Sequence, residues 1–299
     1  MSSTETGRDH RGDPAIDHQW AGPTAARILV GAQLRRLREA AGVTREHAAQ
    51  VIRGSESKIS RLELGRTGFK QRDLDDLLRL YGVTPEEAAT LLALAKQANK
   101  PGWWHSFGDA VPDWFEAYLG LEGAAAVIRT YEVQFVPGLL QTTDYARAMM
   151  RLGPADLPGE LAERRVALRM RRQELLQRAD PPRLWTVIDE AALRRPIGGR
   201  EVMRAQLRHL IEVSALPAVS VQILPFSVGQ VALVGAMIML RFPQGELPDV
   251  VYEEQFTGAC YYDKPAETEQ YRHVLNQLGT AAQPPTATPS VLERILTEI

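Results

Sequence analysis

The chain has 299 residues, 44% of them hydrophobic and 24% charged, with a net charge of −2 and one cysteine, Cys260. These values exclude a disordered chain, a fibre and a general polycation, so any nucleic-acid surface is a local patch. A lone cysteine excludes an intrachain disulfide framework and a cysteine-built zinc or iron–sulfur site, and it fits a reducing cytoplasm.

At roughly 100–200 residues per domain the length gives two domains or one large one. Residues 1–20 are polar and broken by Gly and Pro, so no signal peptide is expected. The span from Glu212 to Arg241 lacks internal charges, but Pro217, Pro225, Gly229 and Gly235 interrupt it, which points to buried strands and turns rather than a membrane helix. The basic residues are 30 Arg and 5 Lys, a skew expected of a GC-rich bacterial genome. Residues 30–72 carry ten Lys/Arg against four Asp/Glu, whereas residues 211–299 carry four against ten, so the N-terminal part is the nucleic-acid-facing end.

In chain order, residues 1–23 read as a flexible tail. A helix begins at Ala25, with Ile28, Leu29, Ala32, Leu34 and Leu37 on one face and Gly42 as its C′ residue. Thr44 caps a short helix over 45–51. Arg53-Gly54 forms a turn, and Ser55 caps a second short helix to about Leu64, with Ile59 and Leu62 inward. Residues 71–81 make a fourth helix. Thr84-Pro85-Glu86-Glu87 starts a fifth, with its cap, its proline at the first position and its Glu three residues after the cap. Beyond Pro101-Gly102 the spacing predicts helices over 112–133, 142–152, 159–178, 199–214 and 266–282. Strands are predicted over 183–188, 219–224, 236–242 and 249–254. A Pro/Thr linker over 283–289 and a terminal amphipathic turn end the chain.

Two short helices joined by a tight turn over 44–63 form a helix-turn-helix, whose second helix enters the DNA major groove. Inward packing of Ile59 and Leu62 turns Glu56, Ser57, Lys58, Ser60 and Arg61 outward. Arg61 can donate two hydrogen bonds to guanine, Glu56 can accept from cytosine, and the serines, including Ser55, can reach bases or phosphate. Arg45 lies where its charge meets a phosphate, and Arg66, Lys70 and Arg72 extend the basic rim. The competing reading is that these charges only solvate a helical bundle. The ordered succession of cap, turn, short second helix and Gly65 favours DNA binding.

Residues 34–44, Leu-Arg-Arg-Leu-Arg-Glu-Ala-Ala-Gly-Val-Thr, and 57–66, Ser-Lys-Ile-Ser-Arg-Leu-Glu-Leu-Gly-Arg, resemble the Xre/Cro–C1 helix-turn-helix family. That resemblance implies base reading at Glu56, Ser57 and Arg61. The family has Gln where Arg45 stands and its turn glycine where Arg53 stands, so the turn is expected to differ by a residue. Further on, Trp103-Trp104, Tyr131-Glu132, the run from Val136 to Thr142, Tyr145-Ala146-Arg147, Arg169 with Arg172-Gln173, the run from Asp189 to Gly199 and Leu224-Pro225-Phe226 resemble the large C-terminal domain of actinobacterial WhiJ-like, antitoxin-like transcriptional regulators. This second resemblance implies a small partner protein encoded by a neighbouring gene.

An enzymatic reading rests on Asp189, Glu190 and Cys260. The adjacent carboxylates are better explained as the cap and first turn of a helix, and a buried inert cysteine is the commoner case. Histidines 10, 18, 47, 105, 209 and 273 show no metal spacing, so neither a metal nor a cofactor is expected. Trp103, Trp104, Trp114, Phe115 and Tyr118, with Tyr145, form either an interdomain core or the wall of a ligand or partner pocket. The Arg-rich helix 159–178 is expected to pair several of its charges with Glu160, Glu163 and Glu174.

The sequence therefore reads as an N-terminal all-α helix-turn-helix bundle of five helices plus a C-terminal α+β domain whose small sheet is covered by helices. The expected divisions are tail 1–23, DNA-binding domain 24–100, regulatory or partner-binding domain 101–282, and linker with terminal helical segment 283–299. The expected function is a non-enzymatic, cytoplasmic, sequence-specific regulator that binds double-stranded DNA as a homodimer without membrane attachment. The alternative is a ligand-sensing repressor with a small-molecule pocket in the C-terminal domain.

Overall fold

The computed structural model describes residues 18–153, 157–228, 234–243 and 247–299. Five helices form the N-terminal bundle: α1 (His18–Ala40), α2 (Arg45–Val51), α3 (Glu56–Glu63), α4 (Gln71–Leu80) and α5 (Pro85–Ala98). Each boundary has a local cause. The side chains of Thr44, Ser55 and Thr84 accept from the backbone N–H of His47, Lys58 and Glu87, which caps α2, α3 and α5. Gly42 and Gly65 take positive φ just past α1 and α3 and stop both. Ala26, Val30, Leu34, Ile59, Leu62 and Leu77 are among the residues that fill the bundle's core.

The N-terminal tail expectation needs one correction. Residues 1–17 lie outside the described residues, but α1 starts at His18, so residues 18–23 are helical. Pro23 lies inside this helix.

The C-terminal part contains α6 (Asp113–Ala124), β1 (Val127–Glu132), α7 (Thr143–Met150), α8 (Gly159–Gln173), β2 (Arg183–Asp189), α9 (Glu190–Arg194), α10 (Arg200–Val213), β3 (Val219–Leu224), β4 (Met237–Arg241), β5 (Val250–Gln255), β6 (Gly258–Tyr262), α11 (Pro265–Ala281) and α12 (Thr288–Glu298). Its six strands form one sheet in the order β3-β2-β1-β4-β5-β6. The pairs β1–β2 and β2–β3 are parallel, while β1–β4, β4–β5 and β5–β6 are antiparallel. Ile128, Leu184, Ile188, Val221 and Leu240 face a core shared with Leu121 of α6, Leu207 and Leu210 of α10, and Leu292 and Ile295 of α12. Tyr131, Val187, Met239 and Val251 face the opposite side, beneath Leu275 and Leu278 of α11.

Three expectations change here. The helix foreseen over 112–133 is α6 followed by β1, a strand inside the sheet. Residues 128–131 are buried on both faces, so no polar alternation marks the strand. The hairpin partner β6 also joins the sheet, giving six strands rather than four. Finally, the segment expected to be a linker and a terminal turn is packed structure. The Thr288 hydroxyl donates to Val221 O at 2.5 Å, and Val291, Leu292 and Ile295 of α12 are buried.

Helix α1 joins the two halves. Ala26, Val30 and Leu34 belong to the bundle core, while Ala25 belongs to the C-terminal core and Ile28 and Leu29 pack against it.

Candidate nucleic-acid interface

The approach to α3 is built from backbone hydrogen bonds. Past α2, Arg53 N–H donates to Gln50 O at 3.1 Å and Gly54 N–H to Ala49 O at 2.8 Å, which closes the helix end. The residue in the left-handed region is Arg53 itself, with φ of 50°. The turn expected to shift by one residue does not shift: Arg53 performs the backbone role at the position where glycine would be easiest.

Two glycines let α1 approach α3. A Cβ on Gly31 would lie 2.5 Å from Leu62 O, and one on Gly65 would lie 2.7 Å from the Ile28 backbone. Beside this contact, a buried carboxylate ties three helices together. Arg38 of α1 donates to Glu63 of α3 at 2.5 and 3.2 Å and to Val43 O at 3.0 Å. Arg45 of α2 donates to the same carboxylate at 3.1 Å. The hydrogen bond from Arg38 to Glu63 raises the guanidinium's pKa above its ordinary value. Burial pushes nearby Tyr81 up to about 12, with the Glu63 charge adding to the effect.

This arrangement sorts the predicted contact residues. Ser55, Glu56, Ser57 and Arg61 are exposed and Ser60 is half-buried, while Ile59 and Leu62 point into the core. Two of the predicted cations are already engaged inside the fold. Arg45 holds Glu63, with its terminal nitrogens left over, and Lys58 sits 2.5 Å from Asp73 of α4. Arg53, Arg61, Arg66, Lys70 and Arg72 are exposed and make no ion pair or side-chain hydrogen bond among the described residues. They surround α3: Arg53 in the turn before it, Arg61 on it, Arg66 in the turn after it, and Lys70 and Arg72 at the start of α4. Sequence reasoning treated Arg53 as a turn residue only and did not foresee Glu63 as the organiser. The turn assignment for Arg53 was the available signal; Glu63 had none, because its partners lie 25 and 18 residues away.

The aromatic set divides. Trp104 lies in a small core with Val111, Leu119 and Leu168, flanked by Trp103 and Phe107. Tyr118 and Tyr145 are buried in the main core, with Trp114 and Phe115 against it. Tyr118 donates to Glu122 at 2.6 Å and stacks on Phe115 at 5.2 Å, whereas the Tyr145 hydroxyl accepts from Val136 N–H at 3.2 Å. Phe115 packs against both clusters and so links Trp103 and Trp104 to Trp114 and Tyr118.

The carboxylates weighed for catalysis are engaged as well. Asp189 accepts from Ala191 N–H at 2.8 Å and caps α9. Glu190 takes Arg194 at 2.7 Å and Phe226 N–H at 3.0 Å. Cys260 is exposed rather than buried. Among the described residues no group of three or more His, Cys, Asp or Glu could hold a metal ion, and no helix is long and apolar enough to cross a membrane. On α8, Arg171 pairs with Glu174 as expected, but Glu163 pairs with Arg147 of α7 at 2.7 Å. Arg172 forms a buried bidentate pair with Glu122 of α6 at 2.9 and 2.7 Å.

Comparison with protein families gives two matches. A family model described as a domain of unknown function, DUF5753, matches residues 115–294, more than half of the chain, and one described as a helix-turn-helix domain matches residues 29–91. No curated protein and no solved structure matches the chain.

Proposed function

The chain belongs to the DUF5753 family, whose description names no activity, and we propose that it is a transcription regulator that reads duplex DNA with α3. The observation that carries this reading is the exposed row of Glu56, Ser57 and Arg61 on a capped, buttressed helix, surrounded by cations with no internal partner. The helix-turn-helix match over residues 29–91 supports it. Arg61 supplies base discrimination, Glu56 and Ser57 contribute polar edge contacts, and Arg53, Arg66, Lys70 and Arg72 hold phosphates. Arg45 and Lys58 act first as structural residues.

A regulator of this geometry works as a dimer, because two recognition helices about 34 Å apart match one turn of B-DNA. The C-terminal α+β part is the place for dimerisation or for a small partner protein, the antitoxin-like role implied by the WhiJ-like resemblance. The test is binding to the DNA upstream of the chain's own gene across a salt series, with a scrambled duplex as control. Expected are preference for the upstream duplex, a fall with salt and a loss of about 1–3 kcal/mol in Arg61→Ala. Equal binding to both duplexes, unchanged in Arg61→Ala, refutes the reading.

A further inference from the structure

The fold covers one edge of the sheet and leaves the other bare. At the β3 edge, the chain after α11 takes up the outward groups: Gln283 N–H donates to Ile223 O at 2.9 Å and the Thr288 hydroxyl to Val221 O at 2.5 Å. Five of the six residues of β3 are buried. At the opposite edge, none of the five residues of β6 is buried. Among the described residues no hydrogen bond reaches the backbone of β6 except from β5.

The hairpin register gives the direction of the free groups. Phe256 and Thr257 alone join β5 to β6, so Gln255 and Gly258 are the hydrogen-bonded pair that closes the hairpin. Hydrogen-bonded and open pairs alternate along an antiparallel ladder, so Ala259 and Tyr261 direct their N–H and C=O groups away from the sheet. Natural edge strands are guarded by charge, proline, a bulge or a covering segment. Residues 258–262 are Gly-Ala-Cys-Tyr-Tyr, without charge or proline, and their register with β5 runs without a bulge. A second observation lies at the tip of the same hairpin. Phe256 is 92% exposed, the most of any large hydrophobic side chain among the described residues.

We propose that β6 pairs antiparallel with β6 of a second copy of this chain, about a twofold axis at Cys260. The inference rests on the dimer reading above and gives that dimer a surface. An antiparallel strand is complementary to itself, so a single twofold axis closes the assembly. Centring on Cys260 uses all five residues. Ala259 of each copy faces Tyr261 of the other, and these pairs exchange the outward hydrogen bonds, while Gly258 faces Tyr262. No like charges meet: beyond the strand, Thr257 falls opposite Asp263, and Phe256 opposite Lys264, whose aliphatic stem covers the ring. A second copy thus accounts both for the bare backbone and for the exposed ring.

The single cysteine reports the axis. In an open antiparallel pair the two Cα atoms stand about 4.5 Å apart, within reach of a disulfide. The test is sedimentation of the full chain at several concentrations without DNA, then oxidation by copper phenanthroline and non-reducing electrophoresis. Expected are a dimer and a cross-link between copies that is absent from Cys260→Ser, which still dimerises. Phe256→Asp and Cys260→Lys are each expected to raise the dimer dissociation constant at least tenfold, the second because it sets two cations face to face on the axis. Leu216→Asp, at another exposed apolar side chain, should leave it within twofold. Phe256 and Cys260 are exposed, so circular dichroism should find both variants folded. Monomer at every concentration overturns the proposal, and monomer on upstream DNA as well removes the dimer reading with it. A dimer that does not cross-link through Cys260, or that is unchanged in Phe256→Asp and Cys260→Lys, uses another surface and overturns the proposal alone. None of these outcomes bears on base reading by α3.

Discussion

Replacing Arg53 by glycine should stabilise the protein and weaken its grip on DNA. Arg53 has φ of 50° and two backbone hydrogen bonds close the turn around it. A side chain with a Cβ costs about 1–2 kcal/mol in the left-handed region. Glycine removes that cost but gives back about 0.4–1 kcal/mol through the greater freedom of the unfolded chain. The net expectation for Arg53→Gly is a gain of about 0.5–1 kcal/mol. Arg53→Ala keeps the backbone cost while removing the same charge, so it should gain nothing. Urea unfolding followed by far-ultraviolet circular dichroism measures both, with the difference taken from the midpoint shift at constant slope. On upstream DNA, both variants should lose one phosphate contact and so flatten the plot of log affinity against log salt by about 0.9. If Arg53→Gly is no more stable than Arg53→Ala, the left-handed turn carries no strain and the argument fails. If neither variant changes the salt slope, Arg53 does not touch phosphate.

Other outcomes follow from the same geometry. Glu63→Gln leaves Arg38 buried without its anion and should cost about 3–5 kcal/mol in a thermal or urea melt; a loss below 1 kcal/mol would show that Glu63 does not hold the three helices. Lys58→Met should reduce stability by up to about 1 kcal/mol while leaving upstream-DNA affinity nearly unchanged, whereas Arg61→Ala should do the reverse; the opposite ordering would place Lys58 on the DNA. Gly31→Val sets a side chain 2.5 Å from Leu62 O and should destabilise by at least about 1–3 kcal/mol, read as a lower unfolding midpoint. Glu132 has its folded pKa raised to about 8 from 4.5, so the folded chain keeps a proton that the unfolded chain has lost, and stability falls as pH rises through that window. Glu132→Gln should match wild type near pH 4 and be more stable by about 2 kcal/mol at pH 8.5, half the full linkage value because the side chain is partly wetted; equal stability at both pH values would refute the shift.

The helix-turn-helix was legible because its signals are local. Thr44, Ser55 and Thr84 cap the helices they precede, and Gly42 and Gly65 end the helices they follow. Ile59 and Leu62 fall inward at the spacing a short helix requires. Legibility faded where structure depends on distant residues. β1 carries Arg129 in its middle and reads as a continuation of α6; what makes it a strand is pairing with β2, more than 50 residues later, and with β4, about 110 residues later. α12 followed a Pro/Thr run that suggested a linker, and only the sheet it packs against shows why Val291, Leu292 and Ile295 are apolar. The interface follows the same rule. Outward direction on α3 could be deduced, but whether a cation is available could not. Arg45 and Lys58 have the same pattern credentials as Arg61, yet their carboxylate partners lie 18 and 15 residues away in sequence.

The packing of α1 bears on how the two halves can communicate. Successive residues divide between cores: Ala25 belongs to the C-terminal core, Ala26 to the bundle, Ile28 and Leu29 pack on the C-terminal side, and Val30 returns to the bundle. The same helix touches α3 through Gly31 and Gly65, where there is no room for even a Cβ, and Arg27 donates to Ala98 O of α5 at 2.9 Å. α6, on the other side, carries Tyr118 and Glu122, which connect through Arg172 to α8. α1 also packs along α6, and close-packed interiors resist continuous deformation. A flexible tether between a DNA-reading bundle and a C-terminal domain would leave the angle of α3 indifferent to events beyond residue 103. In this chain the tether is replaced by a helix whose residues belong to both cores, so the bundle and the C-terminal part share one packed element.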